Sequence, residues 1–152
     1  MLLTSPYIDI SPVLRPSIAV FPGDTPFTQK TNMSFAQGDH LEISEFHTTV
    51  HVGAHTDAPR HYHAEGQTIE ERNLSIYMGL CQVDEVRLGD NLRITPKDVT
   101  VPIKAPRVLF KTNSFNKPDE WNDTFNSLSA ELIHFLHEKG VRLVGIDTPS
   151  VD

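Results

Sequence analysis

The chain has 152 residues and 17.1 kDa, with 38% hydrophobic and 22% charged residues, a composition typical of one globular domain with its own core. Its formal net charge of −7 and pI near 5.5 argue against nucleic acid and anionic membranes as partners. No stretch approaches the length of a membrane span, and residues 1–6 have neither a basic start nor a long apolar run, so we expect no secretory signal. The single cysteine, Cys81, cannot form an internal disulfide, and we expect a cytoplasmic protein.

Short strands and loops are predicted before the C-terminal part of the chain. Its N-terminal third is rich in proline, which favours such structure: Pro6, Pro12, Pro16, Pro22 and Pro26. Residues 41–52 are rich in β-branched and aromatic side chains and are predicted to form a strand that delivers His51 at its end. Residues 81–88 and Arg107–Lys111 are further strand candidates, and we expect Cys81 to be buried packing rather than a nucleophile.

A helix and a final strand are predicted near the C-terminus. The helix is capped by Ser127 or Ser129, runs to Lys139 and is ended by Gly140. Its apolar positions are expected to share one face: Leu128, Leu132, Ile133 and Leu136. Residues 141–147 then read as a buried strand, so the helix should pack directly against the sheet. No linker or repeat interrupts the sequence, and we predict one α/β domain spanning residues 1–152.

Residues 51–61 carry the candidate functional side chains. The segment is His51-Val-Gly-Ala-His55-Thr-Asp57-Ala-Pro-Arg-His61, with three imidazoles and one carboxylate but no cysteine. Neutral imidazole and carboxylate are the ligands of a catalytic divalent metal, above all zinc, which takes three protein ligands and keeps one position for water. A structural zinc site would show paired cysteines. The segment therefore predicts a catalytic metal site, with zinc as the metal and manganese as the alternative.

The spacing of these residues suggests how the roles divide. In a straight strand, Asp57 and His61 would lie about 13 Å apart, as would His51 and His55. Gly53 allows the chain to fold between the first two histidines, and Pro59 shapes or limits the turn before His61. We therefore assign His51, His55 and Asp57 to the metal, and place His61 just outside the ligands as a proton carrier.

Histidine-rich loops also occur on protein surfaces without function, and that alternative remains open. Of the neighbouring histidines, His47 and His63 are interpreted as structural or exposed rather than as ligands. The other three have no partner in sequence and are treated as background: His40, His134 and His137.

The histidine segment resembles the signature of the cyclase-like metal-dependent hydrolases, and most closely that of the kynurenine formamidase branch. Other pieces of this branch follow in the same order, and the resemblance runs from about Tyr7 to Asp152. They are Asp9-Ile-Ser-Pro12, Phe21-Pro-Gly-Asp-Thr-Pro-Phe27, Ile76-Tyr-Met-Gly79 with Cys81, Arg107-Val-Leu109, and the closing stretch from Gly140 to Asp152.

The resemblance implies a fold and an activity. The fold would be the swivelling β/β/α arrangement with a mixed sheet, and relatives pair, so a homodimer with a small-molecule substrate is expected. The activity would be hydrolysis of N-formyl-L-kynurenine to L-kynurenine and formate, a step of tryptophan degradation. Phe21 occupies a place where relatives often carry an aromatic residue and could stack on the aryl ring. That Phe21 simply lies in the core has equal weight.

Family members continue beyond the segment Asp147-Thr-Pro-Ser-Val-Asp152, and the continuation supplies a histidine and a glutamate to a second metal ion that Asp57 would share. We therefore expect that the C-terminal part of the family domain is absent from this sequence and that the second ion is not carried over. The chain as given should then be a weaker formamidase than a version with the extension, because a second ion shares the charge of the reacting oxygens.

Two rival functions remain open. A cyclic amide hydrolase of the isatin type uses a similar histidine motif, although the flanking segments favour the formamidase branch. A truncated metal-binding or oligomerisation module without catalysis is the second rival. Comparing turnover of N-formylkynurenine with turnover of isatin distinguishes the first. Sequencing the gene beyond codon 152 distinguishes the second, because a downstream reading frame with Lys, His and Glu in the expected order would favour the enzyme.

Overall fold

The computed structural model describes residues 8–152. The prediction of no secretory signal falls on residues 1–6, which lie outside this range. Clustering of contacts divides the chain into two units. The first contains the chain up to His55 together with Pro118–Trp121, and the second contains Thr56–Lys117 and Asn122–Asp152. The single-domain prediction is not tested by this division and stays a prediction.

The first unit is built on an antiparallel pair of strands. β1 spans Thr28–Met33 and β2 spans Ile43–His47, and they pair from Thr28 opposite His47 to Met33 opposite Ile43. A small apolar cluster of Ile18, Phe27 and Val52 lies in the same unit. The strand predicted over residues 41–52 is therefore shorter than expected and ends four residues before His51. The pairing of β1 with β2 ends at His47. Beyond it, Thr49 donates its N–H to Thr25 O (3.1 Å), and this hydrogen bond does not continue the pairing of the two strands.

The second unit holds a parallel three-stranded sheet. β3 (Gln82–Glu85) pairs with β5 (Arg107–Lys111), and β5 pairs with β7 (Leu143–Ile146), so β5 is central. A short parallel pair joins β4 (Arg93–Ile94) to β6 (Ser127–Leu128). The helix α1 spans Ala130–Glu138 and connects β6 to β7. With the antiparallel pair of the first unit, these elements make the mixed α/β class that was predicted.

The predicted helix is confirmed, with Ser129 as its cap. Ser129 accepts a hydrogen bond from Leu132 N (3.1 Å), and Gly140 follows the helix with φ of +80°. Leu132 and Leu136 are fully buried in one core with Val108 and Phe110 of β5, so the helix packs on the sheet as expected.

Several details of the sequence predictions are wrong. The strands predicted over residues 81–88 and 141–147 are shorter, Gln82–Glu85 and Leu143–Ile146, and the second is half-buried rather than buried. Ile133 is 43% exposed, because the buried face of α1 is the one shared by Leu132 and Leu136, four residues apart. Leu128 is buried but belongs to β6 rather than to the helix. Cys81 is exposed, since it precedes β3, an edge strand of the parallel sheet.

Five short 3₁₀ helices complete the described elements: Phe35–Gln37, Pro59–His61, Ile69–Glu71, Leu74–Ile76 and Pro96–Asp98. Within residues 8–152, the structure contains no helix long and apolar enough to cross a membrane.

The segment Pro118–Trp121 is held by hydrogen bonds to residues 15–19 of the first unit. Arg15 donates from Nε to Asp119 Oδ1 (3.1 Å) and from Nη2 to Oδ2, and Ser17 Oγ donates to Oδ1 (3.0 Å). Ala19 N donates to Pro118 O (2.8 Å). The hydrogen bonds from Arg15 lower the pKa of Asp119, so this carboxylate is charged over the whole neutral range.

The pH dependence of this attachment is testable. A carboxyl group whose pKa is lower in the folded than in the unfolded chain stabilises the fold above its ordinary pKa, and this stabilisation is lost as pH falls through the folded value. Trp121 is the only tryptophan, so its emission should shift to the red on acidification. Asp119→Asn should show the shift already at neutral pH. Asp39→Asn is the control, because Asp39 also accepts a backbone N–H, from Ser34 (2.8 Å). An unchanged emission in Asp119→Asn would mean that the ion pair does not hold Trp121.

Candidate metal centre

The position of His51 is set by its neighbours on both sides. Thr49, two residues earlier, is buried, and its Oγ1 accepts a hydrogen bond from His51 N (3.2 Å). Val52, the next residue, is buried in the apolar cluster with Ile18 and Phe27. The backbone at His51 is therefore held by a hydrogen bond before it and by a packed side chain after it, and these contacts fix where the half-buried imidazole begins.

Gly53 makes the turn that brings His55 back to His51, as the sequence predicted. Its φ is +59°, and a Cβ there would lie 2.7 Å from Leu14 Cδ2, so both the backbone angle and the space favour glycine. His55 Nδ1 lies 3.0 Å from Gly53 O, and its Nε2 lies 3.2 Å from His51 Nδ1. Because a carbonyl only accepts, the Nδ1 of His55 carries the proton and its Nε2 presents a lone pair, the arrangement common in metal-binding histidines.

His61 is brought back by a second turn, the 3₁₀ helix Pro59–His61. Pro59 stands at its first turn, where its fixed φ fits a helix and the missing N–H costs nothing. His61 N donates to Ala58 O (2.9 Å), and Arg60 N donates to Gln67 O (3.1 Å). Gly66 allows this closure, because a Cβ there would lie 2.6 Å from the carbonyl carbon of Pro59.

Along this continuous segment, one ligand atom each from His51, Asp57 and His61 lie within 4.8 Å of one another. Two ligands bound at about 2.1 Å to the same zinc ion lie at most about 4.2 Å apart, so small side-chain rotations would suffice for these atoms to bind one ion. Imidazole and carboxylate without thiolate are the donors of catalytic rather than structural zinc. The residues present therefore fit a divalent cation.

The structure shows where each of the four candidate donors lies. The straight-chain separation of Asp57 and His61 does not apply, because the turn at Pro59 brings a ligand atom of His61 within 4.8 Å of one of Asp57. His55 lies beside His51 rather than within the group of three. The assignment of His55 to the metal and of His61 to proton transfer stays a prediction. The other histidines are exposed: His40, His47, His63, His134 and His137.

Sequence analysis missed two residues behind His51, namely Asp24 and Thr49. Asp24 closes a turn by donating its N–H to Phe21 O (2.9 Å), with Gly23 at φ of +92°. Its carboxylate accepts from Thr25 N (2.7 Å) and from the Thr49 side chain, and the hydrogen bond with Thr49 is the main cause that lowers its pKa. A hydrogen-bonded path thus runs from Asp24 through Thr49 Oγ1 to the backbone of His51. The sequence feature that could have indicated this turn is the Phe-Pro-Gly-Asp segment of residues 21–24.

This path predicts that Thr49 contributes to metal affinity without touching the metal. Thr49→Val keeps the shape of the side chain but removes the acceptor of His51 N–H, and outer partners of ligands typically contribute about 10- to 100-fold in affinity. We expect a rise of that order in the zinc dissociation constant, measured by competition with a chromophoric chelator. Thr48→Val is the matched control, because Thr48 Oγ1 has no hydrogen-bond partner among residues 8–152. Equal affinities in the two variants would contradict this role.

Comparison with known proteins supports the class that this fold and donor cluster suggest. A potential metal-dependent hydrolase with cyclase activity superposes with a TM-score of 0.77 at 23% identity, over 95% of this chain and 69% of that one. A predicted metal-dependent hydrolase from Bacillus stearothermophilus superposes with a TM-score of 0.75 at 23% identity, over 95% and 70%. The fold is therefore the mixed α/β fold of these cyclase-like hydrolases.

The sequence comparisons identify the family. The profile of the Cyclase family matches residues 8–152. The kynurenine formamidase of Bacillus thuringiensis (strain Al Hakam) is 34% identical over 149 residues, which are 98% of this chain and 71% of that protein. The kynurenine formamidase of Bacillus anthracis is 33% identical over the same shares. The chain belongs to the Cyclase family, and these relatives within it are enzymes.

Proposed function

We propose that this protein is a metal-dependent arylformamidase that hydrolyses N-formyl-L-kynurenine to L-kynurenine and formate. The observation that carries the proposal is the set of donors in residues 51–61, where His51, Asp57 and His61 lie together and His55 Nε2 is 3.2 Å from His51 Nδ1. This set occurs in a chain that shares 34% identity with a kynurenine formamidase over nearly its whole length. In the reaction, the oxygen of water bonds to the formyl carbon and the C–N bond breaks. The hydroxyl oxygen stays with formate, and the departing nitrogen takes up a proton.

The ion would be held by His51, His55 and Asp57, with zinc as the metal and manganese as the alternative. When bound, such an ion makes hydroxide available near neutral pH and polarises the carbonyl of the substrate. Asp57 contributes the negative charge of the ligand set, and His55 is oriented by its hydrogen bond to Gly53 O (3.0 Å).

His61 would move the proton. Imidazoles titrate near neutral pH, so one side chain can accept a proton from water and return it to the leaving nitrogen. His61 is exposed to solvent and lies on a short helix that places it beside Asp57, which suits a group that exchanges protons.

Phe21 would contact the aryl part of the substrate. Its side chain is 64% exposed, so the alternative that it lies in the core does not apply. The turn from Phe21 to Asp24 connects it through Thr49 to His51, within one unit of the chain. The homodimer implied by the resemblance and the cytoplasmic location expected from the single cysteine stay predictions.

Removal of a metal ligand tests the assignment of the site. His55→Ala should lose most of its bound metal, because a three-ligand site has no spare protein group. Metal content after purification and reloading is the measurement, by elemental analysis. His47→Ala is the control, since His47 is exposed at the end of β2. Full metal content in His55→Ala would remove His55 from the ligand set.

The proposed role of His61 is tested by measuring metal binding and turnover separately. His61→Ala should keep its metal but lose roughly 10²- to 10⁴-fold in turnover of N-formylkynurenine, the usual contribution of general acid–base catalysis. His63→Ala should retain both, since His63 is an exposed imidazole two residues away. Loss of metal in His61→Ala would place His61 among the ligands.

The rival functions are tested with the unmodified protein. Faster turnover of isatin than of N-formylkynurenine would favour a cyclic amide hydrolase, and no turnover of either would favour a non-catalytic module.

A further inference from the structure

The segment that carries the only tryptophan of the chain lies close to residues about one hundred positions earlier. The residues that hold its segment in place are Arg15 and Ser17, which bind Asp119, and Ala19, which binds Pro118. Two residues of Pro118–Trp121 are therefore placed by specific contacts with residues 15–19, all within the first unit. Nothing in the sequence pattern links Trp121 to the histidine segment.

Trp121 contacts Phe21 in an edge-to-face arrangement. The ring centroids are 5.5 Å apart, and the ring planes are inclined at 82°. Phe21 is 64% exposed and Trp121 is half-buried, so the pair presents aromatic surface to solvent. We call this pair the aromatic corner. Two perpendicular rings offer a third ring one face to stack on and one edge to meet, which are the two geometries that the aromatic quadrupole favours.

The aromatic corner is connected to the proposed metal ligand His51 through a short path. Phe21 O accepts the N–H of Asp24 (2.9 Å), and the Asp24 carboxylate accepts from the side chain of Thr49. Thr49 Oγ1 accepts from His51 N (3.2 Å). The same turn thus carries the exposed aromatic ring at one end and the support of His51 at the other. A substrate with an aryl ring on its amide nitrogen needs contacts at both places.

We propose that Trp121 determines specificity for the aryl group, by forming with Phe21 the aromatic corner that receives the ring of an aryl amide. This rests on the proposed function, because it names the part of the substrate that the same site would recognise. A planar aromatic ring gains both contact area and quadrupole attraction in the corner, whereas a saturated ring of the same size gains only area. The corner therefore selects amides of aromatic amines over amides of aliphatic amines.

The fluorescence of Trp121 allows a test that does not depend on turnover. Formanilide, a minimal aryl formamide, is titrated into the protein in the presence of a metal chelator, and quenching of Trp121 emission reports its binding. N-Cyclohexylformamide, the saturated analogue of the same size, is then used to displace it. We expect the saturated analogue to bind roughly threefold to tenfold more weakly, the size of aromatic pair contributions beyond area. Equal binding of the two, or no quenching by formanilide, would overturn the proposal.

Matched variants locate the effect. Phe21→Leu should bind formanilide and N-cyclohexylformamide equally, and Phe35→Leu should keep the preference, because Phe35 is an equally exposed phenylalanine (66%) outside the corner.

In the metal-loaded protein, Trp121→Leu should raise KM for N-formylkynurenine more than it lowers kcat, and Trp121→Phe should restore much of the loss. Formanilide binding without formamidase activity would contradict the proposed function but support the corner. Activity with an unchanged KM in both Trp121 variants would overturn the corner alone.

Discussion

Two reversals of the backbone within eleven residues are the constraint on which the candidate site depends. An extended chain would hold His51 apart from His55, and Asp57 apart from His61, by about 13 Å each. Gly53 makes the first reversal with φ of +59°, in a space where a Cβ would collide with Leu14. The 3₁₀ helix Pro59–His61 makes the second. Any residue that prevents either turn would separate the donor groups, whatever side chains they carry.

Both reversals depend on contacts with residues outside residues 51–61. Val52 is packed with Ile18 and Phe27, and Thr49 is held by Asp24 and by Thr25 O. On the other side, Gly66 lets the chain pass close to Pro59. The donor cluster is thus held by backbone hydrogen bonds and apolar packing rather than by contacts among the histidines alone, as expected for ligands that must stay oriented before the metal binds.

The second unit shows how a charged side chain can order a loop. Arg107 on the central strand β5 is buried, and its guanidinium donates only to backbone carbonyls in the contacts that the structure describes. These are Ile76 O (2.7 Å) from Nε, Leu80 O (3.4 Å) from Nη1 and Ser75 O from Nη2. Gly79 passes so close that a Cβ would lie 3.0 Å from Nη1. Removing this guanidinium would leave three carbonyls without the donor that they share, so one residue of β5 helps to order the stretch from Ser75 to Leu80.

Local features of the sequence determined most of what is local in the structure. The bounds of β5, a serine cap at the start of α1 and the turn at Gly53 follow from residue types and their spacing, because short-range sterics and hydrogen bonds decide them. The structure selected Ser129 over Ser127 as that cap. The donor chemistry of residues 51–61 was also evident, since ligand types depend on side chains alone. The family resemblance rested on the same residues, and the profile match over residues 8–152 confirms it.

Only the tertiary structure determined which side chains are exposed and which residues lie close together. The exposure of Ile133, the end of β2 at His47 and the closeness of His61 to Asp57 depend on partners that no local pattern specifies. The same holds for Trp121, which meets Phe21 across one hundred residues of intervening chain because an ion pair and a backbone hydrogen bond hold its segment there. Contacts of that kind are selected by the packing of the whole unit, where the free energy of burying apolar surface outweighs local preference.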